Sequence, residues 1–182
     1  MLNGVQDFTA NGTWIAPSGV TRVIVQLWGA GGGGGFAGIF SNAGAGGGGA
    51  FASAVLTVTP SVTYSIVVGT GGVGEATGGS TTFSDPNSTI LLSAGGGLGG
   101  ADHNGCFLNG GGCGNGGQAG GSYQIGRAGT AAQTACPLAG GAGYLVPSLT
   151  NQVGGGGSAG NYCSGSLVAQ TSGQNGYALL TW

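Results

Sequence analysis

The chain has 182 residues, a length suited to one domain. Charged residues are 3% of it, Arg22 and Arg127 against Asp7, Glu75, Asp85 and Asp102, and the formal net charge is −2. Two arginines and no lysine exclude an electrostatic grip on nucleic acid, a polybasic membrane surface and a Walker-type phosphate lysine.

In chain order, "VQDFT" and "GTWIA" read as a short strand pair around Asn11-Gly12, a hairpin signal. "VTRVIVQLW" alternates, with Val20, Arg22, Ile24, Gln26 and Trp28 on one face. Thr21, Val23, Val25 and Leu27 lie on the other, more apolar face, which is expected to meet the core. "AFASAVLTV" and "VTYSIVVG" flank a Pro60-Ser61 turn, and "STTFS" and "TILLSA" flank Asp85-Pro86-Asn87. The closing "GYALLTW" is another strand, expected to pair with "VTRVIVQLW". No long stretch has a helical period, so the fold class is all-β. No run of 18 apolar residues is present and the first residues lack a basic-then-apolar leader, so neither membrane insertion nor a secretory signal is expected.

Glycine is the composition's main anomaly, at 48 residues. Each glycine in regular structure costs about 0.5–1 kcal/mol relative to alanine. A folded chain keeps that load where backbones must approach closely; the alternative is loose loop. From Gly96, glycine opens the triplet at 96, 99, 105, 111, 114, 117, 120, 126 and 129, a period of three. Three residues per turn is the polyproline-II helix, whose backbone has no internal hydrogen bonds. Glycine lets such helices touch and bond to one another. Collagen shares the period but needs far more than the five prolines present. The expected organisation is one domain over 1–182 with a glycine-rich insertion at about 95–174; a flexible glycine linker is the competing reading.

"RVIVQLWGAGGGGGFAG" places Gly29, Gly31 and Gly34 in a G-x-G-x-x-G after a strand, the dinucleotide fingerprint. The fingerprint needs a helix next and an acidic residue about 20 positions on. "FAGIFSNAGAGGGGA" supplies neither, so no nucleotide or other cofactor is expected. Cys106, Cys113, Cys136 and Cys163 fit no zinc spacing beside a single histidine, so no metal is expected. They are disulfide candidates, with three pairings open, or else buried free thiols. Asp102, His103 and Cys106 are the one cluster with nucleophile chemistry. Close neighbours in a glycine turn lack the rigid support such a site needs, so no enzyme is expected. Asn11-Gly12-Thr13 and Asn87-Ser88-Thr89 match a glycosylation pattern that is idle without a secretory route.

"FTANGTWIAPSGVTRVIVQLWGAGGGGG", "GGGGAFASAVLTVTPSVTYSIVVGTGGVG", "GGSTTF" and "GYALLTW", in that order, resemble the glycine-rich domain of bacteriophage tail-fibre and related virion proteins. The resemblance implies a β-sandwich whose connections carry polyglycine-II segments. It also implies a likeness to distal phage adhesins, whose loops at the end of a glycine bundle contact the host. On that resemblance the chain is expected in the virion, as an adhesin at a tail fibre or tail tip. The alternative is a capsid or tail decoration protein. Its partners would be other virion proteins and a host surface glycan or outer-membrane protein, with self-association also open. Ice binding is disfavoured because "LNGGGCGNGGQAGG" has no threonine. Large aromatics isolated among glycines are the expected contact residues: Phe36, Phe40, Phe107, Tyr123, Tyr144 and Tyr162.

Overall fold

A computed structural model describes residues 4–36, 43–100, 153–157 and 169–182, together with the backbone of several short strands between 119 and 168. The principal strands are β1 (Val5–Phe8), β2 (Gly12–Ile15), β3 (Arg22–Trp28), β4 (Phe51–Thr57), β5 (Thr63–Val67), β6 (Thr81–Ser84) and β7 (Ile90–Ala94). Next come the short strands β8 (Ala119–Gly121), β9 (Ile125–Arg127), β10 (Tyr144–Leu145), β11 (Gln152–Val153), β12 (Asn161–Cys163) and β13 (Ser166–Val168), before the closing β14 (Tyr177–Thr181). No helix occurs among the described residues.

Two five-stranded antiparallel sheets, ordered β1-β14-β3-β4-β9 and β2-β5-β6-β7-β8, pack as a sandwich, and β10-β11 and β12-β13 pair apart from them. Alternation in β3 sends Val23, Val25 and Leu27 into the core, as expected, while Thr21 just before the strand is exposed. Ala52, Ala54, Ala178 and Leu180 extend that inner face. The opposing sheet contributes Trp14, Tyr64, Ile66, Phe83 and Leu92. Tyr64 stacks on Phe83 with centroids 5.2 Å apart, and Trp14 tilts against Trp182 at 5.3 Å. Trp14, Tyr64 and Phe83 thus set large rings against the Val, Leu and Ala side chains of the other sheet.

β14 pairs with β3 as the alternation implied, Tyr177 opposite Trp28 and Leu180 opposite Val25. β6 and β7 form the expected hairpin, where Asp85 Oδ1 accepts from the amides of Asn87 and Thr89. The first expected pair does not form. β1 joins β14 in one sheet and β2 joins β5 in the other. Phe8 and Trp14 both point into the core from opposite sheets, which a shared hairpin would forbid. Asn11, instead of making a two-residue turn, accepts the Val68 amide at 2.8 Å. The chain likewise changes sheet across Pro60-Ser61, between β4 and β5.

Trp28 lies on the outer face of its sheet yet is 4% exposed. Phe51 and Tyr177 flank it, at 4.9 and 5.5 Å between centroids, with Val153 packed alongside. This ladder marks the end of the sandwich from which the glycine segments depart.

Candidate functional site: a glycine bundle and its far end

Residues 29–35 leave β3 and run away from the sandwich as the centre of a bundle. Their amides donate outward in strict rotation. Gly29, Gly32 and Gly35 bond the carbonyls of Ala50, Gly47 and Gly44, at 2.8, 2.9 and 2.8 Å. Ala30 and Gly33 bond Gly79 and Ala76, both at 3.0 Å. Gly31 and Gly34 bond Gln174 and Thr171, at 2.9 and 3.1 Å. Each neighbour is met every third residue and runs antiparallel to the centre. The carbonyls use other neighbours: Ala30 and Gly33 accept from Gly97 and Gly100, Gly31 from Gly72, and Gly32 from Gly157. Three residues per turn, with every bond passing between segments, is the pattern of packed polyglycine-II helices.

That geometry explains the glycine. A Cβ placed on Gly29, Gly31, Gly32 or Gly33 would overlap the carbonyl of Gly95, Gly155, Leu98 or Gly74. It also disposes of the phosphate fingerprint. A phosphate cradle needs free amides, and those of Gly29 through Gly35 already donate to protein carbonyls.

Thr81 locks the bundle to the sandwich. Its buried hydroxyl donates to the Trp28 carbonyl at 2.7 Å and accepts the Gly69 amide at 3.1 Å. Sequence reasoning left Thr81 as an ordinary strand residue; nothing local marks a threonine whose partners lie 53 and 12 positions away.

The far end carries the connections. Phe36 follows the last bonded turn of the central segment and is 53% exposed. The turn from Val73 to Ala76 closes against Gly33, three residues before Phe36, with Val73 72% exposed and Gly74 at φ +59°. The chain also leaves this end after Gly157 and returns at Thr171. β12 and β13 pair within that excursion and bring the backbones of Tyr162 and Leu167 opposite one another.

Of the six aromatic residues expected to contact a receptor, Phe36 is thus placed at the far end, and Tyr162 lies on an excursion from it. Tyr144 sits at the other end, since its backbone pairs with Val153, which packs beside Trp28 and Tyr177. Phe40, Phe107 and Tyr123 lie outside the described residues, as do Cys106, Cys113 and Cys136. Cys163 belongs to β12. Of the period-three stretch, 95–100 belongs to the bundle, and most of the part beyond Gly100 lies outside the described residues. The described bundle is drawn mainly from the connections between sandwich strands. Among the described residues no cluster of His, Cys, Asp and Glu could hold a metal, and no helix is long and apolar enough to cross a membrane.

The family model for the glycine-rich domain matches residues 7–180. The chain belongs to this family. No curated protein matches it closely. The match takes in strands of the sandwich and the described segments of the bundle alike.

Proposed function

We propose that this glycine-rich domain is a virion protein of a bacteriophage, placed at a tail fibre or tail tip, that adheres to the bacterial surface through the far end of its bundle. The observation that carries this reading is the presentation of Phe36 and Val73, both more than half exposed, on a bundle held by backbone hydrogen bonds. A rigid support lowers the ordering cost of binding. Charge contributes little, because two arginines and four acids are all the chain carries. Affinity for a surface glycan or an outer-membrane protein loop then rests on apolar burial and neutral hydrogen bonds, with weak salt dependence. Many copies on one particle would turn weak contacts into firm attachment.

A decoration role, in which the protein binds only its neighbours in the particle, is favoured by a different observation. Among the described residues no strand pairs with the outer edges of β1 and β2, which end their sheets on the same flank and expose Val5 at 67% and Ile15 at 61%. Electron microscopy of labelled particles separates the two readings. Label at the tail tip, with cell binding weakened by Phe36→Ala and Val73→Ser, supports adhesion. Label on the capsid, with cell binding absent in the parent protein, overturns it in favour of decoration.

A further inference from the structure

A second surface lies at the opposite end of the bundle, where it meets the sandwich. Thr9, Ala10 and Asn11 from the β1–β2 crossing, Val68, Gly69 and Thr70 after β5, and Asn175 before β14 enclose an open cleft of about 400 Å³. None of these residues ionises. Its polar side chains are two hydroxyls and two carboxamides, and the carboxamides are oriented. Asn11 Oδ1 is fixed by the Val68 amide at 2.8 Å, and Asn175 Oδ1 by the Gly71 amide at 2.9 Å. Each Asn therefore turns its NH2 group away from the backbone that holds it. Among the described residues neither NH2 group has a protein acceptor, and the hydroxyls of Thr9 and Thr70 have no bonded partner.

Much of the main chain after β5 is already committed. The amides of Val68, Gly69 and Gly71 are bonded to Asn11, Thr81 and Asn175. The carbonyls of Gly69 and Thr70 accept from Gly176 and Gly79. A peptide adding as a strand needs a continuous run of free backbone groups, and these bonds interrupt such a run along 68–71. An ionic ligand would meet no counter-charge. The cleft offers neutral donors with mixed donor–acceptor hydroxyls, over the small apolar surfaces of Ala10 and Val68. That complements the hydroxyl groups of an uncharged sugar, each of which both donates and accepts.

We propose that this cleft binds a neutral saccharide unit, with Asn11 and Asn175 as donors of fixed orientation and Thr9 and Thr70 as exchangeable partners. The site is separate from the bundle's far end, and its reading does not depend on attachment there. A shallow site of this kind has an affinity on the order of millimolar.

The test is an amide NMR titration of the full chain with methyl α-D-glucopyranoside, methyl β-D-galactopyranoside and N,N′-diacetylchitobiose, each to about ten times a millimolar Kd. The expected result is saturable shifts at Val68, Gly69, Gly71 and Gly176 with at least one sugar. Asn175→Asp keeps the oxygen that holds Gly71 and deletes the donors, and Thr70→Val keeps the shape and deletes the hydroxyl. Together they are expected to weaken binding about tenfold or more. Thr9→Val gives a second, independent loss should that pair disturb the fold. The proposal is overturned if no sugar shifts these amides, if the variants bind like the parent, or if shifts appear only near Phe36 and Val73. A neutral Gly-Ser peptide that shifts the same amides where no sugar does would also overturn it. The readout is the isolated protein, so a negative result here leaves adhesion through the far end to be judged by its own experiment.

Discussion

The sandwich and the bundle solve the same problem by opposite means. In the sandwich, side chains exclude water: Trp14, Tyr64, Phe83 and Leu27 fill the space between two sheets whose backbones bond within each layer. In the bundle, side chains are absent and the backbones themselves make the interior. Gly31, Gly32 and Gly33 are fully buried, with polar groups bonded to the segments that surround them. Burying so much peptide without partners would cost more than any domain could offset. The bundle is therefore stable only as a complete set. The sandwich supplies the anchoring, since the described bundle segments are its own inter-strand connections. In the sandwich a lost side chain leaves a cavity, whereas in the bundle an added methyl meets packed backbone.

The largest test of this contrast is Gly31→Ala. One added methyl would overlap the Gly155 carbonyl, which belongs to a packed backbone that cannot rotate away. The expected loss exceeds about 4 kcal/mol, seen as insoluble protein or a collapsed denaturation midpoint. A Gly31→Ala protein with the parent's midpoint would show that the segments are not in contact. The conventional core gives the next largest effect. Trp14→Ala removes a ring that is 2% exposed and is expected to cost about 3–5 kcal/mol by denaturant titration.

Thr81→Val probes the joint between the regions. It leaves the Trp28 carbonyl and the Gly69 amide without their partner in a buried setting, at an expected cost of about 1–3 kcal/mol. Hydrogen exchange sharpens the result. In the parent, the amides of Gly31 to Gly33 should be protected as strongly as those of Val25 and Leu27. In the variant the bundle amides should lose protection first. Equal loss in both regions would mean that they open as one unit.

The smallest expected effect on stability is that of Phe36→Ala, at the exposed end, within about 0.5 kcal/mol of the parent. On the adhesion proposed above, the same substitution is expected to reduce binding to host cells about tenfold or more, with little change on adding salt. Reduced binding with unchanged stability separates a contact residue from a packing residue.

Much of the sandwich was legible because its cause is local. A period of two in "VTRVIVQLW" and "GYALLTW" sets which residues face inward, and Asp85 builds the β6–β7 turn from its own neighbours. The crossing at Asn11 was not legible. Asn-Gly is a hairpin signal on its own, and the carboxamide's true partner, the Val68 amide, is 57 positions away. The same limit hid the cleft, which joins Asn11 to Asn175 through bonds to a segment remote from both.

Sequence alone determined that the chain is all-β and poor in ionisable groups, and its period of three in glycine set close backbone approach against a flexible linker. Alternation, ionisable groups and the missing Cβ are properties of residues and their immediate neighbours. Tertiary structure decided which segments are in the bundle and in what order they surround residues 29–35. It also decided which amides are bonded within the protein. Glycine segments of nearly the same composition carry no label for their neighbours. The sandwich strands at their ends fix where each one starts, and hydrogen-bond register does the rest.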